Sequence, residues 1–149
     1  NDGYRAKNAE MTTVGLPFAR AGNLQAHFDF TGADLLGEAG VRAAREKVSE
    51  PFDCVFTSKG TVGRIAQVMP GTPRFVYSPQ LCFWRSRRPD VIHPLILGQW
   101  MNGVEFREQI DAVKGQTDMA DYVSLRDQRR MVITLPFASA QDRLVRVLE

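Results

Sequence analysis

The chain has 149 residues, enough for one domain, with 44% hydrophobic residues and a net charge of +2. No apolar run approaches the ~18 residues that a membrane-crossing helix needs. Two cysteines and two histidines (His27, His93) fall short of a convincing zinc set, and so small a net charge does not by itself argue for a nucleic-acid partner.

Taken in chain order, residues 14–20 read as a short strand, and Pro17 suggests a sheet edge. Ala21-Gly22-Asn23 is a turn. Asn23 there is either a residue that bonds its own backbone, the commoner case, or a polar group aimed at a ligand. Residues 24–30 form a weak second strand. From 31 to 48 the pattern turns helical, with Asp34 as a candidate cap; the Ala-rich, charged stretch 41–47 favours helix, and Pro51 ends it. Strand signals then dominate over 52–57, 64–69, 74–78 and 81–85, with Pro70-Gly71-Thr72-Pro73 and Ser78-Pro79-Gln80 between the last three. Cys54 and Cys82 sit inside these apolar runs, the usual place for buried reduced thiols, and that usage fits a cytoplasmic location. Helices come next over 94–101 and 104–113, broken at Asn102-Gly103; Phe106, Ile110 and Val113 share one face of the second. Residues 114–118 are a polar loop, and Ser124 with Asp127 has the spacing of a cap on a single helical turn. Residues 131–135 read as a strand closed by Pro136. Ser139 and Asp142 open a final helix carrying Leu144, Val145, Val147 and Leu148. The start at Asn1, without an initiator Met or a basic-then-apolar leader, and the end inside an apolar periodic run both lead us to expect a piece of a longer chain.

Lys59-Gly60-Thr61 has the residue types of a phosphate-binding loop but not its order, since no glycine stands five positions before Gly60. Residues 64–69, next along the chain, are strand-like, whereas a phosphate loop needs a helix N-terminus. Residues 52–69 therefore read as a β-hairpin, with Gly60 and Gly63 supplying positive φ angles. Lys59, Thr61 and Arg64 sit at or beside its tip, either as a solvated turn or within reach of a partner. A hydrolase nucleophile elbow, a Gly-rich cofactor fingerprint and the Asn/Asp-Pro-Pro-aromatic signature of amino-methyltransferases are all missing. Pro89-Asp90 lacks the Glu-x-Lys of a nuclease. His93, ahead of Pro94, reads as a loop or capping residue, and Asp118 and Asp121 are commoner as solvated loop acids than as metal ligands. The expectation is a binding module that is not an enzyme and holds no cofactor or metal.

The charge is unevenly spread. Between Asp53 and Asp90 lie Lys59, Arg64, Arg74, Arg85, Arg87 and Arg88 and no acid, so this segment carries +6 and the remainder −4. That is a footprint suited to a polyanion, or else a solvated basic face; Arg85, Arg87 and Arg88 equally suit a solubility cluster at a strand end.

Four segments also occur in a telling order: LPFARAGNL (16–24), DCVFTSKGTVGRIAQV (53–68), FVYSPQLCFWR (75–85) and KGQTDMADYVSLRDQRRMVITLPFASAQ (114–141). Over nearly its whole length the chain resembles a target recognition domain of the specificity subunit of type I restriction-modification enzymes. The resemblance implies a DNA-binding domain without chemistry of its own, at residues 1–136, followed at 137–149 by the start of a spacer helix. It implies an α+β fold: a small, twisted, mostly antiparallel sheet with hairpins and flanking helices. Each such domain reads one half of a bipartite site in double-stranded DNA. Methyltransferase (modification) subunits use S-adenosylmethionine to methylate adenine there, and restriction subunits, with ATP and Mg, cleave; these cofactors belong to the partners. Phe137 and Ala140 depart from the family's Pro- and acid-containing junction before the spacer helix, while Gln141 is retained. The hairpin 59–63 is a common family feature, expected to touch the DNA backbone.

On physical grounds a DNA reader needs cations for phosphates and fork-shaped or amide groups for base edges. Lys59, Arg64, Arg74 and Lys114, with Thr61 at the tip, are the phosphate candidates. Arg20, Asn23, Gln116 and Thr117, in turns beside strands, are the base-reading candidates. The alternatives are a recognition domain of a single-chain methyltransferase-nuclease, and a protein-interaction module with no DNA role.

Overall fold

In the computed structural model, which describes residues 1–116 and 121–148, with Gln116 as backbone only, everything is built around β4 (Cys54–Thr57), buried along its whole length. It pairs antiparallel with β5 (Ile65–Gln67) on one side and β7 (Leu81–Trp84) on the other. Alternation along β4 sends its residues to two different cores. Val55 joins Phe75, Tyr77, Leu81 and Phe83. Cys54 and Phe56 face Leu97, Met101, Phe106 and Ile110 from the helices α2 (Pro94–Asn102) and α3 (Val104–Val113). Both faces covered explains why this strand reads as a continuous apolar run. The expected hairpin is present, and both cysteines are buried and unpaired.

A second sheet has the order β1 (Met11–Thr12), β3 (Leu35–Leu36), β2 (Leu16–Ala19), β6 (Val76–Tyr77). Its pairs are antiparallel except β2 with β6, which is parallel. The fold is α+β, with mostly antiparallel sheets and flanking helices. Pro17 is not at an edge: β2 lies between β3 and β6, but its pairing with β6 begins only at Phe18, so the missing proline N–H breaks no ladder bond.

Three sequence expectations fail for identifiable reasons. Residues 24–30 are not a strand. A 3-10 turn at Ala21–Asn23 leads into a single Leu24–Phe28 bridge, and the aromatic alternation instead packs Phe28 and Phe30 onto Phe75, with ring centroids at 4.7 and 4.9 Å. The long helix over 31–48 shrinks to α1 (Glu38–Ala44), because Leu35 and Leu36 are drawn into pairing with two strands; Gly37, not Asp34, occupies the N-cap position. Residues 131–135 form no strand. Met131 and Ile133 do turn into the core behind α3, but the partner of Val132 is a side chain: the Gln109 amide donates to its carbonyl and accepts from its N–H, both at 2.8 Å.

The helical expectations hold better. Gly103 separates α2 from α3, and His93 caps α2 by accepting the Leu95 N–H on Nδ1. Ser124 caps the short α4 (Leu125–Gln128), accepting the Asp127 N–H. The last helix, α5 (Ala138–Leu148), starts one residue early. Its Val145 packs on Leu95 and Ile96 of α2, while Leu144, Val147 and Leu148 remain exposed. Gln141 is buried: its Oε1 accepts the His93 N–H at 3.0 Å, and its Nε2 donates to the carbonyls of Val91 (3.0 Å) and Pro136 (3.1 Å). Among the described residues no helix is long and apolar enough to cross a membrane.

Candidate nucleic-acid interface

The tip joining β4 to β5 is shaped from within by Thr57. Its buried hydroxyl donates to the Thr61 carbonyl and accepts the Arg64 N–H, while its own carbonyl accepts the Gly63 N–H. Gly60 and Gly63 take φ of +80° and +97°, with open space where a Cβ would stand. Backbone conformation, not crowding, therefore calls for glycine here. Thr61 and Lys59 are left exposed.

Two further segments dock on this tip. The first is the hairpin of β8 (Gly115–Gln116) and β9 (Asp121–Tyr122). Asp121 accepts the Gly60 N–H on its carbonyl, Tyr122 bridges Lys59, and the Val123 N–H reaches the Ser58 carbonyl. Lys114 comes with it, its Nζ at 3.5 Å from Asp121 and 3.9 Å from Asp111. The second is the turn at 20–24. There the Gln80 Oε1 accepts the Ala21 N–H at 3.0 Å, and Arg64 Nη1 donates to the Ala21 carbonyl at 3.4 Å. Gln80 is tied to the tip through its own carbonyl, which accepts the Ser58 N–H at 2.9 Å.

One end of the sheet thus gathers Arg20, Asn23, Lys59, Thr61, Arg64, Lys114 and the backbone of Gln116. Thr117 lies outside the described residues. Arg74 is not part of this cluster. It precedes β6 at the other end of β4, beside Ser49, Glu50 and Val68. Within the cluster the side chains differ in freedom. Asn23 is spent on local backbone bonds, accepting the Arg20 N–H and donating to the Asp29 carbonyl. Arg20 pairs with Asp34 and lies over the Phe18 ring, 5.3 Å from its centroid. Lys59 has no carboxylate partner among the described residues.

The basic segment is not one patch. Its bounding acids neutralise much of it: Asp53 and Glu50 hold Arg85, whose side chain is 8% exposed, and Asp90 holds Arg88. Among the described residues Lys59, Arg64, Arg74 and Arg87 stay without a carboxylate partner, divided between the two ends of β4. Sequence reasoning missed Gln80, Thr57, Asp34 and Asp121 as organisers of this end. The Ser78-Pro79-Gln80 turn signal was visible, but nothing in it shows that the Gln80 amide would bond a turn some sixty residues away.

Two other groups matter for chemistry. Burial, helped by the Asp53 charge, pushes the Cys54 thiol up to about 12, so it stays protonated and a poor nucleophile. Burial likewise pushes the Tyr77 phenol up, and its hydroxyl donates to Asp53 at 2.6 Å. Among the described residues no group of three or more His, Cys, Asp or Glu could hold a metal ion. The largest cavity described, of about 700 Å³, is lined by Phe83, Trp84, Arg87 and Ile92, not by the tip. A duplex is met by projecting loops as readily as by a cavity.

No protein-family model matches the sequence, and no curated protein matches it. Among solved structures the chain is similar to the S subunit of a type I restriction-modification system from M. genitalium, with a TM-score of 0.56 at 11% identity. The match covers 85% of this chain and 29% of that one, so the chain spans less than a third of the length of that structure. At this identity the likeness is one of fold. The resemblance read from the four ordered segments is met in the fold and has no counterpart in a sequence match.

Proposed function

We propose that this chain is a DNA target recognition domain of a type I restriction-modification specificity subunit. It reads one half of a bipartite site and directs adenine methylation and cleavage by partner subunits, carrying out no reaction itself and working in the cytoplasm. The observation that carries this reading is the meeting of three elements at one end of a fold shared with such a subunit: the 58–64 tip, the 20–24 turn and the β8–β9 pair. Lys59 and Lys114 face phosphates, with Thr61 beside them, and Arg74 touches the backbone farther out. Gln116 and Thr117 read base edges from the hairpin. Arg20 exchanges Asp34 for a base or a phosphate, and the 20–24 turn with Asn23 follows the groove.

The local charge is modest, so a single half-site binds weakly. Linking two recognition domains raises the effective concentration of the second contact. In this reading α5 begins the spacer, and its exposed Leu144 and Leu148 meet the rest of the assembly. S-adenosylmethionine, ATP and Mg serve the partner subunits.

The test is a mobility-shift titration of the full chain with its modification subunits at two salt concentrations, followed by sequencing of methylated sites in the host. The expected result is tight, salt-sensitive binding and a split recognition sequence. If residues 1–136 are exchanged for those of a relative with another target and the methylation pattern stays the same, the reading fails. Absence of any DNA binding favours a protein-interaction module instead.

A further inference from the structure

The backbone of Ala21 is held at both its N–H and its carbonyl. Its N–H is accepted by the Gln80 side chain at 3.0 Å, and its carbonyl is reached by the Arg64 guanidinium at 3.4 Å. Both gripping residues are themselves anchored to the hairpin tip. The Gln80 carbonyl accepts the N–H of Ser58 at 2.9 Å and its hydroxyl at 3.3 Å, and the Arg64 N–H is held by the Thr57 hydroxyl at 3.0 Å. The turn at Ala21–Asn23 is one 3-10 turn with no buried residue of its own, carried between the fully buried Ala19 and Leu24. Asn23 closes the turn on itself, and Arg20 fastens its start to Asp34. Leu24 and Ala19 fix the ends of the turn in the core, and among the described residues the side-chain hydrogen bonds that set its middle against the tip come from Gln80 and Arg64.

We infer that Gln80 and Arg64 are positioning residues that set the 20–24 turn against the Lys59 tip, and that they act on sequence selection rather than on charge. The inference rests on the DNA-reading function proposed above. It assigns Gln80 a role that no motif suggests. It also moves Arg64 from phosphate contact to the inside of the interface, where it is half-buried and its guanidinium serves a carbonyl. A duplex groove is read at hydrogen-bond tolerance, so a turn free to shift relative to the phosphate anchor presents its side chains to more than one base.

The test uses the full chain assembled with its modification subunits and compares Gln80→Ala with Gln80→Glu, which keeps an acceptor oxygen for the Ala21 N–H. Hydrogen exchange by mass spectrometry on peptides covering 18–25 comes first. In Gln80→Ala protection falls by about five- to tenfold, the size of one neutral hydrogen bond, and Gln80→Glu restores it. Selection from a randomised duplex pool comes second. Gln80→Ala accepts more bases at one or two positions while its salt slope matches the parent, and Gln80→Glu regains the parent's choice. Unchanged protection in Gln80→Ala overturns the grip. Changed protection with unchanged selection, in a parent that does select, overturns the positioning role alone. A parent that binds no DNA overturns this inference together with the function it rests on, while the exchange result still reports the contact itself.

Discussion

Asp53 and Arg85 form a two-pronged ion pair behind the sheet. Nε and Nη2 of the arginine donate to the two carboxylate oxygens at 2.5 and 2.6 Å, with Asp53 fully buried. The Tyr77 hydroxyl and the Glu50 N–H also donate to this carboxylate, both to Oδ2. Asp53→Asn leaves a buried guanidinium short of its counter-charge and costs about 3–5 kcal/mol. Glu50→Gln touches the same arginine from a side chain 52% exposed and costs under about 1 kcal/mol. Urea unfolding of the two variants separates these cases, and equal losses would count against the pair as the anchor.

Under the DNA-reading function proposed above, Lys59→Ala is expected to weaken binding to all duplexes alike and to lower the slope of log affinity against log salt by about 1. Gln116→Ala, if that residue reads a base, is expected instead to relax the choice at a single position at a cost of ~1–3 kcal/mol. A salt titration on cognate and scrambled duplexes tests both, and an unchanged slope in Lys59→Ala removes that residue from the interface.

Gly63→Ala forces an L-residue to φ +97° in open space. The loss is expected at about 1–2 kcal/mol from the backbone alone, seen as a lower denaturation midpoint without a change in m. A neutral or stabilising result would mean that the tip adopts another conformation.

Glu105 gives the fold a pH dependence. Hydrogen bonds from the Thr134 hydroxyl and the Trp100 indole N–H hold its carboxyl below the ordinary value of 4.5. Because the folded value is the lower one, the stabilisation is present above pH 4.5 and is lost as pH falls through the depressed value. Glu105→Gln is therefore less stable near neutrality, and the gap from the parent closes on acidification. Urea midpoints taken from about pH 6 to about pH 3 show this as converging curves; parallel curves would refute it.

Local physics decided which elements could be read from the sequence. The 52–69 hairpin was legible because alternation and two glycines specify it without distant help. The helices 94–101 and 104–113 were legible for the same reason, as Phe106 and Ile110 keep helical spacing. Leu35 and Leu36 misled because two strands far from them in sequence claim their backbone. Residues 131–135 misled because an amide side chain can satisfy an extended segment as well as a strand does. At the candidate interface the positions of the cations were plain, but their availability was not. Whether Arg85 is free depends on Asp53, whose side chain meets it only once the chain has folded, whereas Asp90 stands two residues from Arg88 and pairs with it locally. Gln80 was invisible as an organiser because its partner, the Ala21 N–H, carries no side-chain signature.

The three bonds of Gln141 join α5 to two backbone segments, at 91–93 and at 136. These bonds are made by a buried amide, so the start of the helix is fixed from within and not only at the surface. Its inner contacts are at the first turn of α2, next to His93, and Leu97 and Met101 of the same helix face Cys54 and Phe56 of β4. The last helix is thus seated by a buried amide as well as by the packing of Val145 on Leu95 and Ile96.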